Sequence, residues 1–148
     1  MRALALACAL ACAFAAQAAP AEEEDAGLDP DYARGKQAVE TQDWPAAVKF
    51  LNSAALRDTR NADIQNYLGY AYRNSGDLAL AFRHYNRALQ LDARHRGAHE
   101  YLGEAYLMSG NLAKAEEHLA LLGGICLIPC EEHGMLEKKL AEYRARMR

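Results

Sequence analysis

The sequence predicts an all-α fold, an α-solenoid of about three helix-turn-helix repeats followed by a C-terminal capping helix. Three observations carry this. Arg34-Gly35, Leu68-Gly69 and Leu102-Gly103 recur every 34 residues, as do Ala47, Ala81 and Ala115, and the pair Tyr72 and Tyr106. Gly-containing turns, RNSGDL (73–78) and LMSGNL (107–112), fall at the same interval. Leu68, Tyr72, Phe82, Tyr85 and Leu89 fall at i, i+3, i+4 and i+7 spacings, an apolar helical stripe that must be covered by a neighbour.

The elements follow in chain order. Residues 1–21 hold one Arg, an apolar run from Ala3 to Ala16 and then small residues, the pattern of a signal peptide. Cleavage fits after Ala18 or after Ala21. The run is too short for a stable membrane span. Cys12 as a lipidated residue fits poorly, because Leu10 sits one place too close for a lipobox. Losing Arg2 takes the 17 basic residues to 16 against 20 acidic, a net charge of −4. That balance argues against a nucleic-acid partner. The short Ala-rich signal predicts export, to a bacterial periplasm.

An acidic leader (22–28) comes next and reads as disordered. The first repeat (28–61) is degenerate, with Arg34 where the others have Leu and Ala38 where they have Tyr. Asp29-Pro30 starts its first helix and Asp43-Trp44-Pro45 its second. The second and third repeats cover 62–95 and 96–129. Gly69 and Gly103 bring paired helices close, as do Ala81 and Ala115 from the other side. Gly123-Gly124 is expected to end the last paired helix. The cap (130–148) continues the interval with Leu136 and Leu140, but carries Glu137 at the glycine position and polar outer faces.

The segments YLGYAYRNSGDLALAFRHYNRAL (67–89) and YLGEAYLMSGNLAKAEEHLALL (101–122) resemble tetratricopeptide repeats. The resemblance spans nearly all of the chain after the signal and implies a right-handed solenoid. It also implies a function: holding a peptide or protein segment in a concave groove lined by first helices. On this chain those positions are Tyr32, Lys36, Asn66, Tyr70, Arg73, Asn74, Glu100, Glu104 and Met108. Tyr and Arg are common interface anchors. Some members grip chaperone C-terminal carboxylates with a Lys/Asn/Arg clamp. Ala33, Tyr67, Gly97 and Tyr101 stand where parts of that clamp are sought, which argues against such a ligand. An array this small gains surface through a partner or by self-association.

Removing the signal also removes Cys8 and Cys12, leaving Cys126 and Cys130 in the stretch CLIPCEEH (126–133). An even pair in an exported protein reads first as a disulfide. The alternative is a copper- or thiol-handling protein, with Cys126, Cys130 and His133 as soft ligands and Met135 as a fourth. Cys130 near a helix start favours a reactive thiol, and the adjacent Glu131 and Glu132 oppose it. His95 and His99 read as a solvated pair, and His84 and His118 as surface residues. No nucleophile triad, phosphate loop or paired carboxylates stands out, so the expectation is a non-catalytic protein without a cofactor. The basic stretch 138–148 reads as a solvated face of the cap.

Overall fold

The computed structural model describes residues 29–147. They form α1 (Pro30–Glu40), α2 (Trp44–Arg57), α3 (Ala62–Asn74), α4 (Leu78–Leu91), α5 (Arg96–Met108), α6 (Leu112–Ile125) and α7 (Glu131–Arg146), with no strand among the described residues. The expected signal peptide, its two cysteines and the acidic leader lie outside the described residues.

Local chemistry sets where the helices begin. The side chains of Asp29, Asp43, Asn61, Asp77, His95 and Asn111 each accept a backbone N–H in the first turn of the helix they precede. Each satisfies at least one of the donors that a helix start leaves without a partner, and Asp29 satisfies two. Asp43, Asp77 and Asn111 are themselves 34 apart. α7 differs: its N-cap residue, Cys130, makes no side-chain cap hydrogen bond. Pro30 and Pro45 sit in first turns, where a missing N–H costs nothing.

The turns inside each helix pair share one backbone shape. Gln42, Gly76 and Gly110 adopt positive φ angles of 58°, 91° and 78°. Behind each, the next residue's N–H reaches back five positions, from Asp43 to Ala38 O, Asp77 to Tyr72 O and Asn111 to Tyr106 O. This closes the helix end in a left-handed turn that favours glycine. The first repeat makes the same turn with a glutamine.

Each helix packs on the next, and α1 on α3, α3 on α5 and α5 on α7. The odd-numbered helices therefore lie side by side along one face, and the even-numbered ones back them. The glycines permit this. A Cβ on Gly35 would meet Leu51 of α2 at 2.6 Å, and one on Gly69 would meet the Tyr85 ring of α4 at 2.5 Å. Gly103 differs from expectation: its added Cβ would meet Leu136 of α7 at 2.6 Å, so here the glycine admits the cap helix. Ala47, Ala81 and Ala115 are fully buried.

The apolar interior forms three clusters, centred on Leu51 and Leu68, on Tyr85 and Leu102, and on Leu122, Leu136 and Leu140. Tyr72 packs against the first two and Tyr106 against the last two. α6 runs through Gly123-Gly124 to Ile125, beyond the expected stop. Cys126 then caps its C-terminus, with its N–H donating to Leu122 O.

Candidate functional site

The face formed by α1, α3, α5 and α7 carries the predicted groove residues, but not as one open surface. Tyr32, Asn66, Arg73 and Glu100 are buried. Lys36, Tyr70 and Glu104 are half-buried, and Asn74 and Met108 are exposed. Arg73 explains much of this. Its guanidinium on α3 donates to the Glu104 carboxylate on α5 and lies 5.2 Å and 5.3 Å from the ring centres of Tyr70 and Tyr101. Tyr70 in turn packs on Trp44, at 6.1 Å, and on Tyr101, at 4.9 Å. This ion pair and aromatic row join neighbouring repeats across the groove floor.

Two hollows remain open on this face. One, of about 330 Å³, is walled by Arg73, Asn74, Glu104 and Met108 together with Lys139 and Tyr143 of the cap. The other, of about 310 Å³, lies between Asn66, Tyr67, Gly97, Glu100 and Tyr101 and the first turn of α7. Near the other end Lys36 Nζ sits 5.8 Å from the Tyr32 ring, which meets Tyr67 edge-on at 5.9 Å. The wall from α7 is missing from the sequence-based set, as is Trp44. A signal for α7 existed, since Leu136 continues the interval of Leu102 and so sets α7 beside α5.

Electrostatics distinguish the two hollows. The first mixes both signs. In the second, burial pushes the Glu100 carboxyl up to about 7, with Glu104 and Glu132 adding to the effect. Burial likewise raises the Tyr101 hydroxyl to about 12. Asp63 goes the other way: its hydrogen bond with His95 Nε2, 3.0 Å long, lowers its pKa.

The histidines correct the expectation of surface residues. His99 and His118 are buried, with their Nδ1 atoms 2.9 Å apart. His99 Nε2 lies 3.1 Å from Ala93 O, and only an N–H can face that carbonyl. A single proton lies between the two Nδ1 atoms, donated by one ring and accepted by the other. Burial lowers the His118 pKa to about 4, with His99 as the next cause. His84 is half-buried against Tyr72, with rings 5.2 Å apart, and pairs with Gln65. His95 is a helix cap rather than a partner of His99.

At the end of α6, Cys126 and Cys130 have Cα atoms 5.9 Å apart, within the range a disulfide spans. The loop between them projects Leu127, 95% exposed, and Ile128 into solvent. The His133 ring faces Gly123 of α6. Among the described residues no group of three or more His, Cys, Asp or Glu is arranged to hold a metal. No helix among them is long and apolar enough to cross a membrane.

Residues 72–124 match the family model for the tetratricopeptide repeat. No curated protein matches the chain by sequence. Among solved structures, the Yersinia enterocolitica type III secretion chaperone SycD, solved with a peptide of the translocator YopD, is similar. It has 18% identity and a TM-score of 0.69, over 80% of this chain and 92% of that one. PcrH, solved in complex with the chaperone binding region of PopD, gives 20% identity and a TM-score of 0.67, over 82% and 98%. The first repeat domain of human RPAP3 gives 17% and 0.69, over 78% and 91%. At these identities the likeness is one of fold.

Proposed function

From a chain that carries tetratricopeptide repeats and folds as their all-α solenoid, we propose a non-catalytic protein–protein interaction scaffold that holds a peptide or protein segment in its concave groove. The observation that carries the reading is the side-by-side packing of α1, α3, α5 and α7, with two hollows left open on one face. Peptide complexes of similarly folded proteins support it. Export to a periplasm is part of the proposal, supported by the signal-like residues 1–21. So is a structural disulfide between Cys126 and Cys130, closing the α6–α7 corner.

Site-specific photocrosslinking tests the groove. Met108 is 62% exposed and borders the larger hollow, whereas Leu56, 83% exposed, lies on α2 behind it. A crosslinker at position 108 should trap a partner in the native host, and one at position 56 should not. Equal capture from both positions would exclude the groove. Arg73→Ala is a poor probe, because it leaves Glu104 without its charge partner and perturbs folding. The intact mass of the purified protein, with and without reductant, tests both remaining parts. Retained residues 1–21, or free thiols in exported protein, would remove export or the disulfide from the reading.

A further inference from the structure

The hollow between α3, α5 and α7 has a chemistry of its own. Glu100 is 7% exposed, and its carboxylate has neither a hydrogen bond nor an ion pair with any described residue. Its oxygens are not among the fully buried atoms that lack a partner, so they open into the hollow, where a partner can reach them. Asn66 is 6% exposed and lines the same hollow, and its Oδ1 accepts no hydrogen bond. Asn66 Oδ1 and the ionised Glu100 carboxylate can only accept, so a donor entering the hollow satisfies both.

The surroundings fix its charge. Asp63 from α3 and Glu131 and Glu132 from α7 complete the rim, and no Lys or Arg lines the hollow. Arg73 approaches from α3 but is engaged with Glu104 of α5. Asp63 is engaged with His95, and Glu132 with Arg96 at 3.5 Å. Glu100 and Glu131 are therefore left unbalanced. Tyr67 and Tyr101 flank the hollow, and aromatic faces attract a cation as well. A helix presenting Gly97 leaves room beside Asn66, where a Cβ would come within 3.2 Å of Nδ2.

We propose that this hollow receives a lysine or arginine side chain of an extended peptide, bound by Glu100, Glu131 and the Asn66 amide oxygen between Tyr67 and Tyr101. The hollow lies in the groove assigned to a peptide, so the assignment rests on that reading and adds the chemistry of the partner. It inverts the carboxylate-binding clamp considered from the sequence: the ligand brings the positive charge. A bound cation favours ionised Glu100, so capture near neutral pH releases a proton.

The test uses two acetylated, amidated peptides of Ala, Gly and Ser, one with a central Lys and one with Gln in its place. They are titrated into the ¹⁵N-labelled full chain. The Lys peptide should shift the amide signals of Asn66, Gly97 and Glu100, and the Gln peptide should bind at least about tenfold more weakly. Glu100→Gln, nearly the same shape without the charge, should abolish that preference while its melting temperature is unchanged or raised. Equal shifts by both peptides would overturn the basic-residue pocket and leave the groove standing. No shift from either would also overturn it, and the position-108 crosslink would then judge the groove separately. Shifts that grow with protein concentration alone, without peptide, would mean a second copy fills the hollow and would refute the peptide assignment.

Discussion

Gly69→Ala is the sharpest test of the packing. The new methyl would sit 2.5 Å and 2.6 Å from Cδ1 and Cε1 of Tyr85, and 2.9 Å from its Cγ. Carbon atoms in ordinary contact stay about 3.5 Å or more apart. Tyr85 is fully buried and cannot swing away. Overpacking of this kind costs about 1–3 kcal/mol. Against it, removing a glycine from a helix interior contributes about 1 kcal/mol. The net expectation is a loss of up to about 2 kcal/mol, or a melting temperature lower by up to about 8 °C for a domain of this size. Circular dichroism melts with a urea titration measure both. Gly134→Ala is the internal control, since nothing lies within 4 Å of its added Cβ on α7. It should stabilise by up to about 1 kcal/mol. A Gly69→Ala protein stabilised as much as the Gly134→Ala control would refute the close α3–α4 contact.

Three more expectations follow from the same geometry. Gln42→Gly should stabilise by about 0.5–1 kcal/mol, measured by chemical denaturation, because Gln42 holds a positive φ that Gly76 and Gly110 adopt freely. Cys126→Ser should cost about 2 kcal/mol under oxidising conditions, the chain-entropy value for so small a ring, and nothing when both proteins are reduced. Between pH 7 and pH 5 two buried groups oppose each other. His118, with its pKa lowered to about 4, is neutral in the fold, so stability is complete above pH 6.5 and falls by about 2 kcal/mol at pH 5. Glu100, raised to about 7, works in reverse: its ionisation destabilises the fold as pH rises from 4.5 to 7, so acidification relieves it. Wild-type melting temperature should therefore change little across this window, while Glu100→Gln should lose stability steadily as pH falls.

The repeat interval was legible because it is written in small residues. A glycine against a ring or a leucine leaves no substitute, so Gly35, Gly69 and Gly103 stand out. Which neighbour each one admits was not legible, and Gly103 turned out to face Leu136 of α7. A helical pattern tells which residues share a face, but burial of that face depends on the next two helices. That is why Asn66, Arg73 and Glu100, placed on the groove from their spacing, are buried in its walls. The His99–His118 pair escaped notice for a similar reason. The residues are 19 apart on two helices, and each alone looks like a surface histidine. Gly123-Gly124 misled because α6 keeps its backbone hydrogen bonds through both residues, and the cysteine beyond them ends the helix.

Tyr72 and Tyr106, each shared between two apolar clusters, have a mechanical consequence. The three clusters share no buried residue, so force or heat applied at one end reaches the next through these two rings and the helix contacts around them. They act as rivets in a jointed strip. With both in place the repeats yield together; with either trimmed, the array can come apart one joint at a time, and its amide protons would exchange in separate blocks.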